Sequence, residues 1–504
     1  MSILSHLQAL RDRGGEKLTV GLDDATIERF VALDPQLGLA IERAAAAFEL
    51  VQSESELAQL LDLDEAEQVK SVQSGYLNFY PMDAVNPYVA LAAAGPWIVT
   101  LKGAVLHDSG GYGMLGFGHA PQAVLDAIAK PQVLANVMTP SLTQKRFTDR
   151  LKKAVGRNRG SCPFEKFICV NSGSEAVTVA ARLADAHAKV MTDPGARYAG
   201  ATIKRVVVKG SFHGRTDRPA LYSDSSRKGY VANLASYRGE DSVIVIPPYD
   251  VESLRKAFAD AQANNWFIEA MFLEPVMGEG DPGRAVPVEF YDVARQLTAD
   301  HGSLLLVDSI QAGLRAHGVL SIVDYPGFEN SDAPDLETYS KALNAGQFPL
   351  SVLGMTKAAT EMYRSGLYGN TMTTNPRALD VACAVMDMVT DEVRDNITLR
   401  GKQFIEKFEA LRTEMPELIT KTQGTGLLFS VELDDRFKCF GSGSTEEWLR
   451  QQGIGVIHGG VNSLRFTPTF TITEPEVDLI VSMVARALRE GPGAVAKDAE
   501  RDVA

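Results

Sequence analysis

A rhythm in the middle of the chain constrains the fold most. Between residues 136 and 390, short apolar runs alternate with stretches patterned at helical spacing. The runs are Phe167–Val170, Arg205–Val208, Val243–Ile246, Ala270–Leu273 and Leu304–Val307. Runs that are apolar on both faces belong to strands covered on both sides, and helices must supply the cover. The segment therefore predicts an α/β arrangement around a mostly parallel sheet.

The flanks read differently. Residues 1–70 predict a helical extension: Ala40 to Leu50 and Glu54 to Leu63 carry apolar residues at helical spacing. It is expected to rest on the body of the protein or on a partner subunit. Residues 71–135 are Gly-rich, with strand-like runs at Trp97–Leu101 and Ala104–Asp108. Residues 391–490 place two helical patterns around a Gly-rich strand segment, Gly424–Val431, and predict a last helix from Glu474 to Glu490. A polar tail is expected over 491–504.

A chain of 504 residues that is 45% hydrophobic can build two or three domains with large cores. Its net charge is −14 and no basic stripe with interleaved aromatics occurs, which argues against a nucleic-acid partner. No apolar run reaches membrane-spanning length, and Met1–Leu7 lacks the apolar centre of a signal peptide. Cys162, Cys169, Cys383 and Cys439 form no CxxC pair, so reduced thiols in a cytoplasmic enzyme are expected, and no metal.

The chemistry sits where the runs end. Leu304–Val307 leads into Asp308, and Tyr339-Ser340-Lys341-Ala342-Leu343 follows further on. An acid closing a buried strand and a lysine in a tight small-residue loop suit pyridoxal phosphate (PLP). The amine forms a Schiff base with the cofactor aldehyde, and the acid keeps a proton on the pyridine nitrogen. Asn171-Ser172-Gly173-Ser174-Glu175 opens a helix after a strand. It fits a phosphate site, and equally an ordinary N-cap. In Ser211–Thr216, Phe212 and His213 offer flat rings and Arg215 a carboxylate grip, although alone this is a surface loop. Glu274 and Glu279 bracket another strand end, and Tyr368–Thr371 adds a hydroxyl on a turn. All of these fall at strand ends of one α/β unit, where open sheets bind ligands.

In these motifs the sequence resembles the class III aminotransferases, over about residues 97–485. The resemblance implies fold type I: a large domain (136–390) on a mostly parallel seven-stranded sheet, and a smaller α+β domain from 71–135 and 391–490. It makes Lys341 the Schiff-base lysine and Asp308 the partner of the pyridine nitrogen. Gln311 would reach the ring hydroxyl, Gly173 and Ser174 the phosphate, and Phe212 with His213 the ring. Thr371 would serve the phosphate of the neighbouring subunit in a homodimer. Arg215 resembles the arginine for the distal carboxylate of 2-oxoglutarate, Arg465 the arginine for an α-carboxylate, and Glu279 the acid that neutralises Arg465 while an amine donor is bound. Tyr112 resembles a tyrosine that orients a diamino acid.

The implied activity moves the terminal amine of a lysine-, ornithine- or 4-aminobutyrate-type donor to 2-oxoglutarate. A racemase or aminomutase, or a non-catalytic binding subunit, is the alternative on the same fold. Three positions depart from the family pattern. Ser309 replaces the glutamate of Asp-Glu-x-Gln, Met277 replaces the glutamine of Glu-Pro-x-Gln-Gly-Glu, and Gly118-His119-Ala120-Pro121 stands for Gly-His-x-His-Pro.

Overall fold

Leu304, Leu305, Leu306 and Val307 are all buried and form the centre of a seven-stranded sheet. The structure is a computed structural model that describes residues 3–110 and 112–494. Most of the tail expected over 491–504 lies outside the described residues. The sheet contains β1 (Lys166–Val170), β2 (Thr202–Val208), β3 (Val243–Ile246), β4 (Trp266–Leu273), β5 (Leu304–Asp308), β6 (Leu336–Tyr339) and β7 (Ser351–Met355). Their spatial order is β1-β7-β6-β5-β4-β2-β3. Only β7 runs antiparallel, to both β1 and β6. The pairs from β6 to β3 are parallel. The mostly parallel sheet expected from the apolar runs is present, and the loops after β1, β2, β4, β5 and β6 therefore leave from the same edge.

Segments from both sides of this unit meet in a second sheet. Ala90–Ala94, Trp97–Thr100 and Val105–Asp108 form an antiparallel meander. Ile454–Gly455 then pairs parallel with Val105–Asp108. A third, antiparallel sheet holds Ile419–Thr425, Leu428–Leu433, Ser463–Phe466 and Ile457–Gly459. The sequence suggested one strand across Gly424–Val431; the structure folds it into a hairpin. Gly426 turns at φ +57°, and a Cβ there would sit 2.1 Å from the Ala316 carbonyl oxygen, so only glycine fits. The last helix spans Glu474–Glu490 as expected.

The N-terminal extension rests on the body. Its longest helix, Pro35–Ser53, starts at an Asp34 cap and buries Leu37, Ala40, Ile41, Ala44 and Phe48, one face of a 3.6-residue repeat. That face covers the meander. Asp34 Oδ2 accepts Trp97 Nε1 at 2.6 Å, and Arg43 Nη1 donates to Ala93 O at 3.0 Å. Leu22 N donates to Val105 O at 2.9 Å. Within the expected Glu54–Leu63 helix only Ser55–Ala58 is helical. No helix among the described residues is long and apolar enough to cross a membrane.

Candidate active site

Where the sheet's loops converge, a cavity of roughly 170 Å³ is lined by the Ser172–Ser174 turn, Phe212–Gly214, Glu274, Asp308, Ile310, Gln311, Ser340 and Lys341. At one end the Gly173–Thr192 helix begins. Its N-cap is a capping box in which Ser172 Oγ accepts Glu175 N and Glu175 Oε2 accepts the amides of Asn171 (2.7 Å) and Ser172 (3.0 Å). The ordinary N-cap and the anion-site readings thus coexist. The cap uses the Glu175 amide, while the helix opening and the Ser174 hydroxyl line the cavity, where a helix N-terminus favours negative charge. Ile310 closes over this turn; a Cβ on Gly173 would come 2.7 Å from Ile310 Cδ1.

Asp308 is buried at the end of β5. Its Oδ2 lies 2.9 Å from His213 Nδ1, and its Oδ1 accepts Thr338 Oγ1 at 3.0 Å. His213 therefore braces the acid from behind, edge-on to Phe272 (5.8 Å, 88°), and is not a second stacking ring. Phe212 is the half-buried ring on the cavity wall. Glu274 takes part as well. Its oxygens accept Gly278 N (2.9 Å) and Phe212 N (3.1 Å), and burial, reinforced by Asp308, pushes its pKa up to about 7.

Lys341 opens a one-turn helix, Lys341–Asn344, with φ at +49°. A non-glycine residue in the left-handed region is strained, and such strain clusters where a side chain must be aimed. Burial lowers the pKa of its amine to about 8, with the Arg465 charge adding to the fall and Asp308 opposing it. Lys341 is half-buried and lines the cavity. A near-neutral lysine can act as a nucleophile and as a proton carrier at ordinary pH.

Beyond the cavity stands a buried arginine. Arg465, on the Ser463–Phe466 strand, donates through Nη1 to Gly278 O and to Gln311 Oε1 (3.1 Å). Its guanidinium lies 5.4 Å from the Tyr112 ring centroid, and Tyr112 stacks on Tyr80 at 6.0 Å. Gln311 thus lines the cavity while its carboxamide oxygen holds Arg465. Glu279 does not pair with Arg465; it faces the exposed Arg215 at 3.9 Å. Arg215 also covers the Phe212 ring at 5.2 Å. Thr371 is exposed and lines a separate cavity of roughly 470 Å³ with residues 131–146 and 372–376. Its loop is tied to the helix opening by Tyr368 and Asn370, which both donate to Glu175 Oε1 at 2.7 Å.

Among the cavity residues, Ile310 has no signal of its own in the sequence although it sits between Asp308 and Gln311. Thr338 gave no signal, because a threonine inside a strand looks like ordinary sheet. The bracing role of His213 depends on which side of the acid its ring takes.

This donor set suits an aromatic aldehyde carrying a phosphate: a low-pKa amine, a buried braced carboxylate, an apolar wall on each side (Phe212, Ile310) and a helix opening with a hydroxyl. The family model for class III aminotransferases matches residues 80–488. Ornithine aminotransferase 2 of Staphylococcus aureus is 28% identical over 418 residues, 81% of this chain and 95% of that protein. The acetylornithine aminotransferase of Caldanaerobacter subterraneus is 27% identical over 429 residues, 82% and 98% of the two chains. The crystal structure of Toxoplasma gondii ornithine aminotransferase superposes with a TM-score of 0.71 at 23% identity, covering 85% of this chain and 96% of that one. The chain belongs to the class III aminotransferases, which are PLP-dependent enzymes of fold type I.

Proposed function

We propose that this aminotransferase moves the terminal amino group of an ω-amino or diamino acid, of the lysine, ornithine or 4-aminobutyrate type, to 2-oxoglutarate in two half-reactions. One observation carries the reading: the buried Arg465 is held by neutral acceptors, while Glu279 stands off against Arg215. A buried guanidinium with no anion in direct contact, and only the charges of Glu279 and Glu274 nearby, is receptive to a carboxylate. With 2-oxoglutarate, Arg465 and Arg215 take its two carboxylates. With an amine-first donor, Glu279 turns to Arg465 and supplies the missing charge. The ornithine and acetylornithine aminotransferases among the relatives put diamino acids first among donors. Tyr112, beneath Arg465, is placed to orient such a donor.

When bound, PLP supplies the electron sink that stabilises the substrate carbanion. Lys341 would hold the cofactor and would serve as the proton carrier of the site. Asp308, braced by His213 and Thr338, would keep a proton on the pyridine nitrogen. Gln311 would answer the ring hydroxyl. Gly173 and Ser174 would hold the phosphate, and Phe212 and Ile310 would exclude water from the ring.

The functional unit is a homodimer in a cytoplasmic setting. Thr371, exposed and outside the lining of its own Lys341 cavity, serves the phosphate of the partner's site. The exposed Leu77, Met138 and Leu142 suit a covered surface, and all four cysteines are free.

The test uses a donor labelled with 15N at its terminal amine, with 2-oxoglutarate present. The reading expects labelled glutamate in equal amount to donor consumed. Donor rearranged or racemised without any keto acid would overturn it in favour of an aminomutase or racemase.

A further inference from the structure

Glu337 is a fully buried carboxylate that the chemistry above leaves without a part. It sits inside β6, close ahead of Lys341. Its Oε1 accepts Ser309 Oγ (2.6 Å) and Ile322 N (3.0 Å); its Oε2 accepts Tyr339 OH (2.9 Å) and Ser321 Oγ. A carboxylate at this depth persists only where donors saturate it. Two of these donors, Ser309 and Tyr339, come from the segments that frame the site; Ser321 and Ile322 come from the start of the turn at Ile322–Asp324. Ser309 follows Asp308, and Tyr339 precedes Ser340 and Lys341. Thr338 ties the same two strand ends together, donating to Asp308 Oδ1 at 3.0 Å and accepting Ser309 N at 3.1 Å. Side chains alternate along a strand, so Glu337 and Thr338 clamp β5 to β6 from opposite faces. Ser309 is also where the chain departs from the Asp-Glu-x-Gln pattern: its hydroxyl reaches a carboxylate on the neighbouring strand.

We propose that Glu337 is a positioning residue. It holds the end of β5 and the lysine loop in fixed register, so that Asp308 and Lys341 face one cofactor, and it supplies from β6 the carboxylate that the family pattern places directly after the acid. This rests on the reading of Lys341 and Asp308 as the cofactor-holding pair.

The test compares Glu337→Leu, Glu337→Gln, Ser309→Ala and the double variant Ser309→Glu/Glu337→Leu in the full chain. Three quantities are read: PLP dissociation, the pH midpoint for reductive methylation of Lys341 in cofactor-free protein, and the thermal midpoint. Glutamine preserves the bonding pattern, since the hydroxyls of Ser321 and Tyr339 can turn to accept its N–H groups. Small misplacements of catalytic groups are costly, so Glu337→Leu is expected to weaken PLP retention about tenfold or more and to shift the Lys341 midpoint. Glu337→Gln should stay within about threefold of wild type, and the double variant should recover most of the loss. A folded Glu337→Leu protein with wild-type retention and midpoint overturns the proposal. So does a double variant no better than the single one. If the leucine variant does not fold, Ser309→Ala decides: a shifted midpoint supports the clamp and an unchanged one refutes it. Borohydride trapping of PLP on a lysine other than Lys341 in the wild type would instead refute the underlying site assignment.

Discussion

Replacing Arg465 with alanine separates the two half-reactions. The guanidinium is buried, and Nη1 is shared between Gly278 O and Gln311 Oε1. A 2-oxoglutarate carboxylate docked there forms a desolvated, charge-assisted pair. Truncating one partner of such a pair costs about 2–5 kcal/mol. At 1.4 kcal/mol per factor of ten, kcat/KM for the 2-oxoglutarate half-reaction should fall roughly 30- to 4,000-fold. An amine-first donor does not use that charge. It loses the cation–π support of Tyr112 and the anchoring of Gln311, about 1 kcal/mol or roughly fivefold, while Glu279 keeps Arg215 as its partner. Single-turnover stopped-flow absorbance of the bound cofactor measures each half-reaction alone. Arg465→Lys is the companion: it keeps a charge but loses the planar fork, and should fall between wild type and alanine. Equal losses in both half-reactions, within about threefold, would refute the assignment of Arg465 to the acceptor carboxylate.

Other outcomes rest on the same geometry. Lys341→Ala should abolish turnover. In cofactor-free protein the Lys341 amine should be modified with a midpoint near pH 8. Because its folded pKa lies below the unfolded value, the unfolded chain binds more protons above pH 8, so this group makes cofactor-free protein gain stability as pH rises from about 8 towards 10.5. A pH titration of the thermal midpoint, with Lys341→Met as reference, checks the sign, and a gap that widens in the opposite direction contradicts it. Thr371→Val should weaken PLP retention about tenfold by removing one hydrogen bond to a charged group, and dilution of wild type into monomers should do the same. Retention that ignores both would remove Thr371 from the partner's site.

Much of this architecture was legible because its signals are local. The apolar runs of β1 to β5 announce buried strands, and the small-residue turn at Gly173, the Phe212 loop, Glu274 and Asp308 each follow or close such a run. β6 was not singled out. Leu336–Tyr339 carries Glu337 and Thr338, buried polar groups that interrupt the apolar pattern and make sense only once Ser309, Ser321 and Asp308 are beside them. β7 holds Gly354 among its apolar residues and runs against its neighbours, and nothing local encodes direction. The Gly424–Val431 run looked continuous because the Gly426 turn is set by the approach of Ala316, far away in sequence. Gly173, Ser174, Phe212, Asp308, Gln311 and Lys341 stand out in the sequence and line one cavity, but the pairings within the site do not show there. Glu279 was expected against Arg465 and stands against Arg215; His213 was expected on the cofactor ring and stands behind Asp308. Both outcomes depend on how loops from different strands approach one another in space.

The most direct test of the central claim is the visible spectrum of the purified, PLP-loaded protein. L-lysine, L-ornithine or 4-aminobutyrate is added singly without keto acid, followed by 2-oxoglutarate. Two-stage amino transfer predicts that the cofactor band fades with one of these donors and returns with 2-oxoglutarate. A loaded protein whose band none of these donors fades, or whose faded band 2-oxoglutarate does not restore, would contradict it.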